Sequence, residues 1–251
     1  FSTASVSLIV GNITDFNRVS ALFSAFRPDV VVHFAAETHV DRSIHGAAAF
    51  VRTNILGTQI LLDVARATGV LRFLHVSTDE VYGDLGDRDP VGIVEGGGAV
   101  ETDRLLPSNP YAASKAGADH LVFAAYRTHK FPVVITRSAN NYGPRQHPEK
   151  LIPTALLRVL RGESVPVYGD GRNVRDWLHV EDHCRALEAV LLRGRDGEIY
   201  NVGSGKGREN LEVVQEIVRC VRTAAKMDSV DHVSGAFVQR HLMYVVDRPG
   251  H

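Results

Sequence analysis

The sequence predicts an α/β fold built on a doubly wound parallel sheet. Short apolar runs alternate with longer segments whose apolar residues recur at helical spacing, and the connections between them are short. Alternation of this kind is typical of open sheets with helices on both faces. Residues 30–34 are mostly β-branched, as expected for a parallel strand that is buried on both faces.

The first elements follow from two apolar runs and one capping residue. Residues 6–10 predict a buried strand that ends at Gly11. Asp15 can cap a helix that extends to about residue 26. Residues 30–34 predict the next strand. The apolar residues of the helix share one face: Val19, Leu22, Phe23 and Phe26.

A longer helix is predicted over residues 47–68, because apolar residues recur there at helical spacing and Gly69 follows as a stop signal. The recurring residues are Ile60, Leu61, Val64 and Ala65. Residues 73–76 predict a strand, residues 110–130 a helix and residues 133–136 a further strand. These elements complete the predicted alternation.

The composition excludes several classes of protein. Of 251 residues, 44% are hydrophobic and 23% are charged, which is typical of globular proteins and not of disordered chains. The net charge of −1 predicts no general affinity for nucleic acid or for anionic membranes. No apolar run is long enough to predict a membrane span. Cys184 and Cys220 are far apart and lack a CxxC pattern, which fits a reducing compartment without a disulfide framework.

Two carboxylates stand side by side just after the predicted strand over residues 73–76. The chain there reads STDEVYG over residues 77–83. A single polar residue at a strand end is most often structural, but Asp79 beside Glu80 is different, because neighbouring carboxylates disfavour joint ionisation. Their pKa values can therefore separate into those of an acid and a base.

Tyr111 and Lys115 are four residues apart in the helix that follows Pro110, so they share a helix face. An ammonium group near a phenol stabilises the phenolate, and we therefore expect a lowered pKa for Tyr111. Such a phenolate could remove the proton of a sugar hydroxyl during hydride transfer. A lone YxxxK pattern is weak, but this one lies between STDEVYG and a strand ending in RSANNYGP over residues 137–144. We interpret it as functional.

These segments resemble the extended short-chain dehydrogenases/reductases, and specifically the nucleotide-sugar 4,6-dehydratases of the dTDP-glucose 4,6-dehydratase type. The resemblance covers nearly the whole chain. Further matching segments follow in the family's order: residues 33–41, 53–58, 148–153, 175–177, 200–203 and 247–251. The Thr-Asp-Glu triplet discriminates within the scaffold. Related epimerases usually have small or hydroxyl residues in place of Asp79 and Glu80, and related decarboxylases lack this Asp.

The resemblance implies a Rossmann-like NAD-binding domain and a smaller C-terminal substrate-binding region. The first would take residues 1–147, with the chain returning to it at about 174–203, and residues 148–251 would mainly bind the nucleotide-sugar. The looser pattern after Asn140 agrees with a second unit. The family's Gly-rich loop and first strands are absent from this sequence, so we expect at least ~30 further residues in the complete protein. Without them we expect weak NAD binding.

The implied reaction has three stages and regenerates its cofactor. Tyr111 is the base while C4 of glucose is oxidised, Thr78 holds the 4-hydroxyl, and Lys115 bonds the nicotinamide ribose. Glu80 then removes the C5 proton, and Asp79 protonates the departing C6 hydroxyl before C6 is reduced. The expected product from dTDP-glucose is dTDP-4-keto-6-deoxyglucose.

The resemblance assigns further residues to two ligands. For NAD it implies Asn12, Ile13, Phe34, Ala35, Ala36, Glu37, Thr38, Thr53, Tyr111, Lys115 and Asn141. For the nucleotide-sugar it implies Thr38, Thr78, Asn140, Lys150, Leu151, Pro166, Val167, Tyr168, Arg175, Asn210, Asp247, Arg248, Pro249, Gly250 and His251. Arg175 and Arg248 would clamp the diphosphate, since guanidinium binds phosphate oxygens bidentately. The family usually has an acid at position 12, so Asn12 is a departure.

The resemblance further implies a homodimer in which the helices over residues 47–68 and 110–130 pack across a twofold axis, and we expect it in the cytoplasm. Other interpretations stay open. The substrate could be UDP-glucose, the enzyme an epimerase or decarboxylase of the same fold, or the chain an inactive fragment that binds nucleotide-sugar. A lone surface Arg is most often a solvated charge, Tyr168 could be a turn aromatic, and Trp177 a packing residue. The 12 histidines show no HExxH motif, so we expect no metal site.

Overall fold

The computed structural model describes residues 6–84, 98–224 and 241–247. The largest sheet in the described residues is parallel and has four strands, three from the first part of the chain and one from a later part. Its strands, in spatial order, are β1 (Val30–His33), β2 (Arg72–Thr78), β3 (Val133–Ser138) and β7 (Ile199–Val202). The parallel sheet predicted from strand–helix alternation is therefore confirmed.

Helices cover both faces of this sheet, which makes the fold doubly wound. The helices before β3 are α1 (Phe16–Phe26), α2 (Val40–His45), α3 (Ala48–Phe50), a π-helical segment (Val51–Gly57), α4 (Thr58–Ala67) and α5 (Pro110–His129). Phe73 packs with residues of α1, α4 and α5 on one face, while the next residue, Leu74, packs with Leu187 of α7 (Val180–Arg193) on the other. Successive strand residues point to opposite faces, and burying each such side chain stabilises the fold by about 1.5–3 kcal/mol.

A second core lies in the later part of the chain. Two parallel strands, β5 (Val165–Tyr168) and β9 (Leu242–Val245), pair there, and α6 (Leu151–Leu160) packs against α8 (Asn210–Ala224). Its buried residues are Ala155, Val159, Val165, Val214, Val218 and Val221. A third, three-stranded sheet contains β4 (Asn140–Tyr142), β6 (Val174–His179) and β8 (Gly207–Glu209). The exact domain division at residues 147 and 148 stays a prediction.

Most predicted element ends coincide with local chemical signals. The Asp15 carboxylate accepts a hydrogen bond from the backbone N–H of Arg18 at 3.0 Å and so caps α1. Gly69 has a φ of +76°, a conformation that favours glycine, and ends the helical stretch that α4 completes. The predicted single helix over residues 47–68 differs in one respect, since its middle turns have π geometry.

The strand predicted over residues 6–10 is wrong, and the fully buried strand predicted over residues 30–34 is wrong in part. Residues 6–10 form no strand, and their apolar side chains are exposed. An apolar run becomes a buried strand only where a neighbouring strand accepts its hydrogen bonds, and in the described structure β1 pairs with β2 alone. For the same reason Val30 and Val32 are partly exposed on this edge strand, and Phe34 lies beyond it with 57% of its surface exposed. Phe26, expected on the buried face of α1, is also exposed.

The helices that the structure describes include none long and apolar enough to cross a membrane.

Candidate active site

The carboxylate pair lies at the carboxyl end of β2. Thr78 is the last residue of this strand, whereas the sequence placed it just beyond, and it pairs with Ser138 of β3. A short 3-10 helix, Asp79–Tyr82, follows directly. The hydroxyl of Thr78 accepts a hydrogen bond from the backbone N–H of Glu80 at 3.3 Å. This contact fixes the turn that presents both carboxylates at the strand ends.

The amino end of α5 is joined to this pair. Asn109 caps the helix, because its Oδ1 accepts a hydrogen bond from the backbone N–H of Ala112 at 2.9 Å. Its Nδ2 donates to Glu80 Oε2 at 3.4 Å. Asn109 was missed in the sequence, although an Asn directly before Pro110 is a typical helix start. The capping residue therefore positions one of the two carboxylates.

The electrostatic environment makes Asp79 a weak acid. Burial, followed by the charge of Glu80, raises the pKa of Asp79 from 3.8 to about 7. The guanidinium of Arg175 on β6 acts in the opposite direction, as does the hydroxyl of Thr78. Arg175 is thus close enough to Asp79 to act on its ionisation, which links two of the sequence motifs. A carboxyl group in this environment keeps its proton at near-neutral pH.

We expect Asp79→Asn to be more stable than the wild type above neutral pH. The folded protein binds the Asp79 proton more tightly than the unfolded chain, so this residue costs stability as pH rises from 3.8 through about 7. An amide has no such cost, and we expect a gain of about 1–2 kcal/mol at about pH 8. Denaturant unfolding at two pH values measures this gain. The expectation would be contradicted if the free energies of unfolding of Asp79→Asn and the wild type differed by the same amount at about pH 4 and about pH 8.

Tyr111 and Lys115 lie on one face of α5, but the expected lowering of the tyrosine pKa is wrong. Burial and then the charge of Glu80 raise the pKa of Tyr111, and its hydrogen bond with Thr78 offsets them only in part. The Lys115 ammonium instead donates to the backbone oxygen of Val76 at 2.8 Å. Burial lowers the pKa of Lys115 to about 8. The sequence showed the shared helix face but not the low dielectric around it.

The segment after β1 is tied to α5 through Asn54. Its side chain accepts a hydrogen bond from the N–H of Glu37 at 2.8 Å and donates to the oxygen of Glu37 at 3.0 Å. It also donates to Ser114 Oγ at 2.8 Å, and Ser114 in turn donates to the backbone oxygen of Tyr111 at 2.7 Å. This network holds the predicted cofactor segment, residues 34–38, beside the tyrosine. Asn54 was not among the predicted site residues.

The remaining predicted NAD residues lie before α1, in the π-helical segment and on β4. Asn12 and Ile13 precede α1, and Ile13 fits so closely against Gly57 that a Cβ there would lie 2.5 Å from its Cδ1. Thr53 is in the π-helical segment. Asn141 of β4 has a buried Oδ1 that accepts no hydrogen bond within the described ranges, an acceptor that a carboxamide N–H would satisfy. The polar groups present therefore fit the nicotinamide end of NAD.

The predicted nucleotide-sugar residues fall into three groups. Lys150 joins the two parts of the chain, because its ammonium donates to the backbone oxygen of Thr38 at 3.2 Å. Asn210, which begins α8, has a buried Oδ1 without a partner among described residues. The other members lie at the start of α6, on β4 to β6 and beside Gly169: Leu151, Asn140, Pro166, Val167, Tyr168, Arg175 and Asp247. Arg248, Pro249, Gly250 and His251 lie outside the described residues.

In the three described ranges no group of three or more His, Cys, Asp or Glu side chains is placed to hold a metal ion. Cys184 and Cys220 are both exposed and free.

Comparison with known proteins places this geometry in a family. The family model described as GDP-mannose 4,6 dehydratase matches residues 2–251. The dTDP-glucose 4,6-dehydratase of Xanthomonas campestris pv. campestris is 47% identical over 97% of this chain and 68% of its own length. That of an Actinoplanes species is 46% identical over 98% of this chain and 69% of its own length.

A solved structure shares the fold. The dTDP-glucose 4,6-dehydratase DesIV from Streptomyces venezuelae, crystallised with NAD bound, superposes with a TM-score of 0.82 at 44% identity. The match covers 96% of this chain and 67% of DesIV. The chain therefore belongs to the GDP-mannose 4,6 dehydratase family, and the resemblance to enzymes of the dTDP-glucose 4,6-dehydratase type is confirmed.

Proposed function

We propose that the protein catalyses the NAD-dependent dehydration of dTDP-glucose to dTDP-4-keto-6-deoxyglucose, as a hydro-lyase in deoxysugar biosynthesis. The observation that carries this proposal is the pair of adjacent carboxylates, Asp79 and Glu80, directly after β2, with Glu80 joined to the cap of the helix that carries Tyr111. The raised pKa of Asp79 supports it. An elimination of water needs a base at C5 and an acid at the leaving hydroxyl. Sequence relatives with the name dTDP-glucose 4,6-dehydratase support the choice of substrate.

In the proposed mechanism each side chain handles one proton or one contact. Tyr111 takes the proton of the 4-hydroxyl as a phenolate, a form that burial and Glu80 disfavour and that its hydrogen bond with Thr78 favours. Thr78 also orients the 4-hydroxyl. Glu80 removes the C5 proton, and the hydrogen bond from Asn109 keeps its carboxylate in place. Asp79, protonated near neutral pH, gives its proton to the departing C6 hydroxyl. The acid and the base are adjacent residues, so both can act on neighbouring carbons of one sugar.

The cofactor side of the site is also a proposal. Tyr111 and Lys115 would hold the nicotinamide ribose, and Asn141 and the segment over residues 34–38 would border the ring. Bound NAD supplies reversible hydride transfer, which the side chains of this site cannot supply themselves. We propose that the nucleotide-sugar binds against Lys150, Arg175 and Asn210. Two of these predicted ligand residues, Lys150 and Arg175, are cationic.

Product analysis tests the proposed reaction. The purified full-length protein, incubated with NAD and dTDP-glucose, should give a 4-keto-6-deoxy sugar nucleotide, which absorbs in alkali, whereas an epimerised product does not. A parallel incubation with UDP-glucose shows which of the two nucleotide-sugars is the preferred substrate. An epimer without alkali absorbance would replace the proposal with an epimerase, and binding of dTDP-glucose without any product would favour a non-catalytic chain.

We also propose that the protein is a cytoplasmic homodimer whose interface includes the π-helical segment, α4 and α5. Exposed apolar side chains on these elements support it: Val51, Leu56 and Phe123. Multi-angle light scattering at micromolar concentration should give twice the mass of one chain. Phe123→Asp should shift the mass toward the monomer, and the matched change Leu192→Asp, at an exposed position of α7, should not. A monomeric wild type would contradict the proposal.

A further inference from the structure

A third functional side chain continues the face of α5 that carries Tyr111 and Lys115. Asp119 follows Lys115 by four residues, as Lys115 follows Tyr111, so the three lie in one row along the helix. Asp119 is 2% exposed. A carboxylate is buried this deeply only when charged or hydrogen-bonding partners compensate for the loss of water.

Those partners come from two neighbouring strands. Arg137 Nε on β3 donates to Asp119 Oδ2 at 2.9 Å, and His75 Nε2 on β2 lies 3.4 Å from Oδ1. Arg137 is held in turn, because its Nη1 donates to the hydroxyl of Tyr82 at 2.9 Å, and that hydroxyl donates to Asn201 Oδ1 at 2.7 Å. The Asp119 carboxylate is therefore fixed in position and charge beneath the site.

Within the described ranges, Asp119 is the carboxylate whose charge favours the ammonium form of Lys115. The Lys115 side chain is 4% exposed, and its ammonium donates a hydrogen bond to the neutral backbone oxygen of Val76. The charge of Asp119 opposes the effect of burial on the pKa of Lys115. Among the described residues, the titratable groups that interact with Lys115 or Asp119 are His33, His75, Tyr111 and Arg137. Asp79 and Glu80 act on Tyr111, and Tyr82 acts on Arg137. Burial lowers the pKa of His33 to about 2 and that of His75 to about 4, so both are neutral at working pH.

We propose that Asp119 is a positioning residue for the reaction, whose carboxylate, held by Arg137 and His75, keeps Lys115 an ammonium and sets the pH range in which the Tyr111–Lys115 pair works. The inference rests on the proposed function for its effect on turnover. Asp119 does not contact the reacting atoms and acts through Lys115 and Tyr111. Removing a negative charge lowers the pKa of every neighbouring group. Loss of the Asp119 charge should therefore lower the pKa of both Lys115 and Tyr111.

The test compares three variants that change charge at the Asp119–Arg137 pair. In Asp119→Asn, we expect the acidic and alkaline limbs of the pH profile of kcat to move to lower pH by about one unit. The titration midpoint of Lys115 should move in the same direction by a similar amount. In Arg137→Met, which leaves Asp119 unopposed, we expect both to rise. In the double variant Asp119→Asn/Arg137→Met, which is neutral at both positions, we expect them to return most of the way to the wild type.

The midpoint of Lys115 is read without substrate, by NMR of protein labelled with ¹³C at the lysine ε carbon and assigned with Lys115→Met. The contradicting result is a fall in turnover in both single variants while the pH profile of kcat and the titration midpoint of Lys115 stay as in the wild type. That result would make Asp119 purely structural and overturn the proposal. Should one single variant fail to fold, the other and the double variant still give different expectations, namely a shifted Lys115 midpoint in the single variant and a midpoint near that of the wild type in the double variant. Absence of product from dTDP-glucose in the wild type would refute the proposed function alone, since the lysine titrations decide the role of Asp119 separately.

Discussion

Glu80→Gln is expected to abolish elimination of water and to leave oxidation at C4 in place. The amide cannot accept the C5 proton, and the loss of a general base typically lowers the rate about 10²–10⁴-fold. Asn109 donates to Glu80 Oε2, and an amide oxygen can still accept that bond, so the local structure should persist. Stopped-flow absorbance should show reduced cofactor that accumulates and no longer decays at the wild-type rate.

Two comparisons sharpen this experiment. Solvent deuterium should no longer enter at C5 in Glu80→Gln, whereas Asp79→Asn should keep that exchange and lose only the departure of the C6 hydroxyl. The matched change Glu188→Gln, on the exposed surface of α7, should leave all steps unchanged. Water elimination at the wild-type rate in Glu80→Gln would show that another group is the base.

Tyr111→Phe is expected to block the reaction at its first step. The change removes only the hydroxyl and keeps the edge-to-face contact of the ring with Phe50, whose ring centroid lies 6.4 Å away. The fold should therefore remain intact, while turnover falls by about 10²–10⁴-fold because no group accepts the proton of the 4-hydroxyl. Neither reduced cofactor nor C5 exchange should appear in single-turnover measurements.

The control for this variant lies on the same helix. Tyr126 of α5 packs against the backbone at Gly197, far along the helix from Tyr111, and Tyr126→Phe should turn over like the wild type. Binding of nucleotide-sugar, measured by calorimetry, should be similar in both variants. Formation of reduced cofactor by Tyr111→Phe at the wild-type rate would assign the first proton transfer to a different residue.

The pKa of Tyr111 shows why part of the site could not be predicted from sequence. The YxxxK spacing correctly placed Tyr111 and Lys115 on one helix face. Their ionisation depends on how much water reaches them and on the carboxylates that other elements bring near, above all Glu80. The same limit applies to Asn109, whose capping role is local and readable, whereas its bond to Glu80 joins two segments 29 residues apart.

The amino-acid sequence by itself determined the strand–helix alternation, the parallel sheet, the cap at Asp15, the stop at Gly69 and the adjacent carboxylates of the candidate site. Each of these depends on side-chain spacing or on one residue's backbone preference, which are properties of a short segment. Only the tertiary structure decided that residues 6–10 form no strand, that Asp79 holds its proton to about pH 7, and that Asp119 is fixed beneath Lys115. These depend on which distant groups meet and on how much water they exclude, because both pairing and ionisation are set by the surroundings and not by the segment alone.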